Sequence, residues 1–321
     1  MTVTIGIPTY NRKMAVGDLL LKLKTFDGIS SYKVLVIDDG STDGTYEYLN
    51  GLNLDPNIFR IITRPNVGYA QTFLDLLESS STEWVLVTAD DDDFNLEALN
   101  LLHPYFALPE CSVVVTNWEY KDGTIHRGGR GERLLTASDL EQTMHAPGIA
   151  YRPSMLKASR LKLKFFLDQK SEAAFFYPQV LIAAHSITAR GAIFAPITVV
   201  REINEFTSGL ISTTGRNYWH PQSRINQYMT YIDFFLDLED SGTVDSKEFA
   251  RTRLRINRQK YLEATEDVFA VDISRNQFRK QAILLYSKRY LASIFRLREM
   301  RRFFRKSRFL TFFYRKTKNR P

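Results

Sequence analysis

The chain holds a single cysteine, Cys111, so no internal disulfide can form and burial and hydrogen bonding must hold the fold. No apolar stretch reaches the roughly 18 uncharged residues that a membrane-spanning helix needs; the nearest, 173–187, is interrupted by Pro178, Gln179 and His185. No signal peptide precedes the first strand-like alternation, Val3, Ile5 and Ile7, and the expectation is a cytosolic chain. Acids are scarce in one region. From Lys288 to Pro321 thirteen Lys and Arg face one acid, Glu299, a net of +12, which leaves −5 for the first 287 residues of a chain whose formal charge is +7. The body is acidic and the tail is basic. With 44% hydrophobic residues over 321 positions, the chain can bury the core of one large domain or two modest ones.

What stands out against these absences is an acidic run. Asp90, Asp91, Asp92 and Asp93 follow the apolar segment Trp84 to Thr88, as an acidic tip on a buried strand. Carboxylates this close repel one another, so they must be solvated or brought a cation. A hard divalent ion such as Mg²⁺ or Mn²⁺ needs only one or two protein carboxylates when water and phosphate oxygens fill its other positions. The plainer reading is a solvated turn that caps the next helix, Leu96 to Leu102. The strand before the run and the motifs upstream favour the metal.

Through residue 120, short apolar runs alternate with helical periodicities, the pattern of a doubly wound, mostly parallel α/β sheet. Val3 to Ile7, Val34 to Ile37, Phe59 to Thr63, Trp84 to Thr88 and Ser112 to Thr116 read as strands. Val16, Leu19, Leu20 and Leu23 give one helix its apolar stripe, and Tyr69, Phe73, Leu76 and Leu77 give another. Ligands of such sheets bind at the carboxyl ends of the strands. There the sequence reads Pro8-Thr9-Tyr10-Asn11, then Asp38-Asp39-Gly40-Ser41-Thr42-Asp43, then Arg64-Pro65-Asn66-Val67-Gly68, then the aspartates. A carboxylate at the second strand end can accept from a base N–H, and Asn66 with the helix amides after Gly68 can meet sugar or phosphate oxygens. Asp43 stands where a helix cap belongs, and Asp38 reads equally as a loop-holding residue.

Ile-Pro-Thr-Tyr-Asn-Arg near the start, Val-Ile-Asp-Asp-Gly-Ser-Thr-Asp-Gly-Thr, Asn-Val-Gly-Tyr and the Asp-rich strand end together resemble a family 2 glycosyltransferase of the A-type (GT-A) fold. The Asn66 to Tyr69 form and the Asp ending resemble the abequosyltransferase-like members that build bacterial surface polysaccharides. The resemblance implies that Pro8, Thr9 and Tyr10 line a nucleotide pocket, that Asp39 reads the base, and that Asp90-Asp91-Asp92 is the DXD motif. Asp92 would then be the first metal ligand, with Asp90 beside it. Asp90 or Asp91 would meet the ribose or a metal-bound water, and Asp93 would be spare. The cofactor it implies is Mn²⁺ or Mg²⁺, and the partner is a nucleotide-diphosphate sugar, with UDP the first expectation. One departure stands out: where many members carry Arg and Asn in the helix after the Asn-x-Gly turn, this chain has Phe73 and Leu74.

Residues 1–120 would thus form the nucleotide-sugar half of the domain and 121–215 the acceptor half, with 216–321 a helical C-terminal extension. Lys121 to Arg133, with four glycines and four Lys or Arg, reads as a mobile loop over the site. Gly148 to Arg152 resembles the family's return strand, and Arg190 to Pro196 with Val199 to Arg201 its closing strands. An inverting transfer needs a carboxylate to take the acceptor's proton. The family's Glu-Asp pair is absent, with Pro178-Gln179 near its place, so Glu172 is the expected base and Asp168 the reserve. His185 reads as a hydrogen-bonded core residue.

Beyond residue 220, Tyr228, Tyr231, Ile232, Phe235 and Leu238 recur at helical spacing and read as a packed face. In the tail, aromatic residues such as Phe303, Phe304, Phe312 and Phe313 interleave with Arg and Lys. That combination favours an interfacial helix on an anionic membrane surface over packing in a homo-oligomer; nucleic acid, with no RNA-binding motif to support it, is not expected. The expectation is a metal-dependent, inverting glycosyltransferase at the inner face of the cell membrane, acting on a growing, lipid-linked glycan. Two alternatives stand beside it. One is a non-catalytic nucleotide-sugar-binding or scaffold protein. The other is a sugar nucleotidyltransferase, which the absence of a glycine-rich basic loop near the N-terminus disfavours.

Overall fold

The computed structural model describes residues 2–127, 131–136, 139 and 142–203. These belong to the first of two compact units, Met1–Gly215. The second unit, Arg216–Pro321, lies outside the described residues, and with it the helical periodicity from Tyr228 and the tail 288–321.

Strand and helix alternate as the sequence pattern requires. β1 (Val3–Thr9) leads to α1 (Lys13–Lys24), β2 (Tyr32–Asp38) to α2 (Thr45–Asn50), and β3 (Phe59–Thr63) to α3 (Tyr69–Ser79). β4 (Trp84–Val87) and the short β5 (Asp93–Phe94) precede α4 (Leu96–Asn100) and α5 (His103–Phe106). Then come β6 (Val113–Glu119), β7 (Ile125–Arg127), β8 (Arg133–Leu134) and β9 (Ile149–Tyr151). α6 (Lys157–Asp168), α7 (Glu172–Phe176) and α8 (Pro178–Thr188) lead to β10 (Ala192–Arg201).

One sheet carries them in the order β3-β2-β1-β4-β9-β6-β10-β5, with β7 on β6 and β8 on β10. β1 pairs in parallel with β2 and β4, and β2 with β3. β9 runs antiparallel to both β4 and β6, so β6, and β10 parallel to it, point the same way as β1. The carboxyl ends of six strands therefore reach one rim, as expected of a mostly parallel α/β sheet. β1 and β2 are buried on both faces, which is why they read as near-continuous apolar runs.

Helix residues named from periodicity are core residues: Val16, Leu20, Leu23, Phe73 and Leu76 are fully buried. So is Leu74, and the Phe73 ring meets Tyr151 edge-on at 5.5 Å, so no polar side chain could stand at these two positions. At the opposite end of the sheet, Trp84 is fully buried and donates its indole N–H to the Phe106 carbonyl at 3.2 Å. Arg152 lies over the Trp84 ring, donates to the Phe106 and Pro109 carbonyls at 2.9 Å, and pairs with Glu83 at 2.9 Å. Its charge satisfies the acceptors that α5 leaves at its C-terminus.

Some sequence expectations change in detail. The helix read over Leu96 to Leu102 ends at Asn100, and α5 starts separately at His103, because Pro104 cannot donate to the first ladder. Asn95, not an aspartate, caps α4 by accepting from the Ala98 amide at 3.1 Å. The glycine-rich stretch read as a loop contains β7 and β8, paired to β6 and β10, with only 128–130 of it outside the described residues. The two closing strands are one, β10, irregular between Ala195 and Val200.

The strand-end loops fit tightly. Gly40 has φ +75°, and a Cβ there would lie 2.7 Å from the Asn66 amide nitrogen and 2.9 Å from the Arg64 carbonyl oxygen. Gly40→Ala should cost about 2–4 kcal/mol, the sum of left-handed strain and backbone overlap. Chemical denaturation of the purified protein measures it; a loss below about 0.5 kcal/mol would show that the two loops separate without penalty.

Candidate active site

The rim is organised around Thr9. Its hydroxyl donates to Asp90 Oδ2 at 2.6 Å and its carbonyl accepts from the Asp39 amide at 2.9 Å, so the end of β1 ties together the acidic loops after β4 and β2. The next turn adds stitches. Asn11, at φ +53°, donates its N–H to Ser41 Oγ at 2.8 Å and accepts from the Thr42 amide at 2.7 Å. Asp43 accepts from the amides of Lys13 and Thr45, both at 3.1 Å, and so satisfies orphan donors at the starts of α1 and α2. Burial notwithstanding, a bond from the Thr45 hydroxyl and these amide bonds hold its carboxyl below the ordinary range.

The two aspartates after β2 are buried and occupied. Asp38 accepts from Thr63 Oγ1 at 2.8 Å and from the Ser41 amide at 3.1 Å, the loop-holding role read from sequence. Asp39 accepts from the Val67 and Gly68 amides at 3.0 and 2.8 Å and pairs with Arg64 at 3.3 Å. Arg64 also pairs with Asp75 at 3.2 Å and donates to Thr72 Oγ1 at 2.7 Å, which fixes the turn against the first half of α3. A carboxylate has about four lone-pair sites, so Asp39 with three donors keeps one to offer a ligand.

The acidic run is arranged differently. Asp90 is 6% exposed; burial pushes its carboxyl up to about 6, against the opposing effects of Arg12 and the Thr9 bond. Asp92 is pushed up to about 7, first by burial and then by the charges of Asp91 and Glu202, while a bond from Trp118 opposes the rise. Arg12 pairs with Asp90 at 3.3 Å and with Asp91. Asp93 turns away into β5 and pairs with Lys22 of α1. Beside Asp92 the far wall is aromatic: the Trp118 ring stacks on His145 at 4.5 Å and meets Tyr120 edge-on at 4.8 Å.

Of the other residues named from sequence, Pro8 is half-buried in β1, and Tyr10 and Asn66 are exposed on the rim loops. Glu172 opens α7, and α7 seats on the turn before α3: a Cβ on Gly68 would lie 3.0 Å from the Phe175 ring. Asp168 is exposed at the end of α6, on the outward face with Leu161 and Phe165, and is not drawn into the rim network. Gln179 is 2% exposed and donates to the Met144 carbonyl at 2.6 Å. His185 is half-buried in α8.

Four contributors escaped the sequence reading: Arg12, Arg64, Trp118 and Glu202. Arg12 and Arg64 stood inside the quoted motifs, and a search for countercharges to the aspartates would have found them. Trp118 and Glu202 carried no such signal, because the pairing of β10 with both β5 and β6 brings them to the acidic turn.

Among the described residues no three His, Cys, Asp or Glu side chains converge as a metal cage. The acidic turn nonetheless fits a hard divalent ion. Asp90 is buried and Asp92 half-buried among like charges, and their carboxyls are pushed upward despite the bonds from Thr9, Arg12 and Trp118, which is the condition an oxygen-ligated cation relieves.

A profile of glycosyl transferase family 2 matches residues 4–167. Among curated proteins no relative matches. Among solved structures, residues 1–349 of Staphylococcus aureus TarS in complex with UDP-GlcNAc align over 94% of this chain and 92% of that one, with 15% identity and a TM-score of 0.62. The same TarS segment in complex with UDP aligns over 91% and 83%, with 16% identity and a TM-score of 0.63. The mannosyltransferase PcManGT of Pyrobaculum calidifontis, in complex with GDP-Man and Mn²⁺, aligns over 91% and 85%, with 16% identity and a TM-score of 0.50. At these identities the likeness is one of fold.

The raised carboxyls give a signed prediction. Both have folded-state values above their unfolded one, so their contribution to stability is full below about pH 4 and is lost as pH rises through about 6 and 7. Without metal, this pair should destabilise the protein across that window. Mn²⁺ competes with protons for the same oxygens, so it should raise the melting temperature clearly at about pH 8 and little at about pH 5.5. Equal shifts at both values would place the ion elsewhere.

Proposed function

The chain belongs to glycosyl transferase family 2 and is a glycosyltransferase; from that premise we propose that it is an inverting, metal-dependent enzyme moving a sugar from a nucleotide-diphosphate donor to a hydroxyl of a growing glycan. The observation that carries the reading is the double tether of Thr9, which joins the loop bearing Asp39 to the turn bearing Asp90 and Asp92 on one rim. UDP is the first donor class to test, and the UDP-GlcNAc of TarS and the GDP-Man of PcManGT support a nucleotide sugar in general.

In this reading Pro8, Thr9 and Tyr10 line the base and ribose, and Asp39 accepts from a base N–H with its remaining lone pair. Asn66 and the amides opening α3 meet ribose or phosphate oxygens. Arg12, released from Asp90 and Asp91, supplies at the diphosphate the positive charge that the apolar Phe73 and Leu74 cannot. Asp92, with Asp90, would hold Mn²⁺ or Mg²⁺, and the bound ion would stabilise charge developing on the leaving diphosphate. Glu172 takes the proton from the acceptor hydroxyl. The acceptor oxygen bonds to the anomeric carbon from the face opposite the diphosphate, the bond to the diphosphate oxygen breaks with its electron pair, and the configuration inverts. Gln179, as an amide, cannot serve as that base. The acceptor is a lipid-linked surface glycan of the kind made by abequosyltransferase-like enzymes, reached at the inner membrane face with the aid of the basic tail 288–321.

Calorimetric titration with UDP, GDP, dTDP and CMP, with Mn²⁺ or with chelator, tests the donor site. One nucleotide should bind, and Asp92→Asn should weaken it on the order of tenfold or more, as chelator does. Absence of nucleotide binding under every condition would sink the reading. Glu172→Gln should lower turnover by roughly 10²–10⁴-fold with donor affinity retained. Full activity in that variant would move the base elsewhere, and nucleotide binding without transfer by the parent enzyme would return the non-catalytic alternative.

A further inference from the structure

α6 is amphipathic in the reverse sense on its outer side. Its inward face buries Ser159 and Leu163. Its outward face exposes Leu161 at 59% and Phe165 at 57%, one helical turn apart, with exposed Ala158 on the same stripe and Met155, 42% exposed, in the turn before. Two large apolar side chains left in water at such spacing are not required by the core, which is already closed beneath them.

The borders of this stripe are basic. Lys157 and Lys164 fall on one side of Leu161 and Phe165, and Lys162 on the other, with Lys170 just past the helix end. Asp168, at the C-terminal end of the stripe itself, is the one acid in α6, against Lys157, Arg160, Lys162 and Lys164. Arg160 and Lys164 also hold Glu78 on α3, which fixes the helix to the catalytic fold. Long lysine stems can lie along an apolar surface while their ammonium groups reach outward to phosphate.

We infer that the outer face of α6 docks on an anionic lipid surface, Leu161 and Phe165 entering the headgroup boundary and the exposed Lys157 and Lys170 meeting lipid phosphates. Charge decides against a second copy of the chain, since two such faces set together would oppose basic borders. Helix length agrees with this placement, because twelve residues span about 18 Å, enough to lie along the interface and too short to cross it. The inference rests on the proposed lipid-linked acceptor for its purpose, and adds to the tail a contact built into the catalytic unit itself.

The test uses the full chain and vesicles of phosphatidylcholine with or without phosphatidylglycerol, read by flotation. The parent should partition onto anionic vesicles only. Leu161→Glu with Phe165→Glu, and separately Lys157→Glu with Lys170→Glu, should each lower that partition on the order of tenfold or more, the first by removing apolar burial and the second by reversing charge at the anionic surface. UDP binding in both variants should match the parent, which separates failure of this inference from failure of the donor site. Unchanged partition of both variants would overturn the inference. So would a parent that binds no vesicle, or a concentration-dependent dimer that the Leu161 and Phe165 changes dissolve.

Discussion

Burial of carboxylates at the strand ends is the constraint on which the rim depends. Water cannot compensate Asp38, Asp39 and Asp90, so each must find donors or a countercharge within the protein, and their positions dictate which loops supply them. Asp38 draws on Ser41 and Thr63, and Asp39 on Val67, Gly68 and Arg64. Asp90 draws on Thr9 and Arg12. Four loops separated in sequence are thereby held in one arrangement by the need to satisfy three side chains.

The supply of donors also sorts these acids by role. Asp38 and Asp39 accept from the loops around them and act as fasteners. Asp90 and Asp92, despite bonds from Thr9, Arg12 and Trp118, have their carboxyls pushed upward by burial and by neighbouring negative charge. A rim that fastens some acids from within and leaves their neighbours with raised carboxyls is poised for an added cation. Arg12 bears on this directly: half-exposed at the end of the β1 loop, it already neutralises Asp90 and Asp91, and an ion brought to Asp92 would free it to face an anion.

Most of the fold was legible because parallel strands buried on both faces write themselves as apolar runs, and because α1 and α3 keep their buried stripes in register. The strand-end motifs were legible for the same reason, being fixed in sequence to those runs. Less could be read where contacts come from distant register. Trp118 reaches Asp92 through the pairing of β10 with both β5 and β6, which no local pattern reveals. The glycines between Lys121 and Arg133 argued for a loop, yet edge pairing with β6 and β10 overrode that composition. Asp168 looked close to the chemistry by position along the chain. Helical phase instead puts it outward, in line with Leu161 and Phe165.

The seating of α7 brings a later segment of the described unit against the turn at Gly68. Gly68 lacks the Cβ that would crowd Phe175, so the helix opened by Glu172 packs directly on the turn whose amides Asp39 holds. A movement of that turn, such as the proposed engagement of a nucleotide by Asp39 would bring, would press on the Phe175 ring of α7, because close-packed groups resist independent shifts. A base carried on α7 would then be positioned by that turn itself, and the acceptor side of the site would be set only when the donor side is. In the proposed reaction such an arrangement would limit hydrolysis, since a carboxylate not yet in place cannot activate water against a donor that is not fully bound.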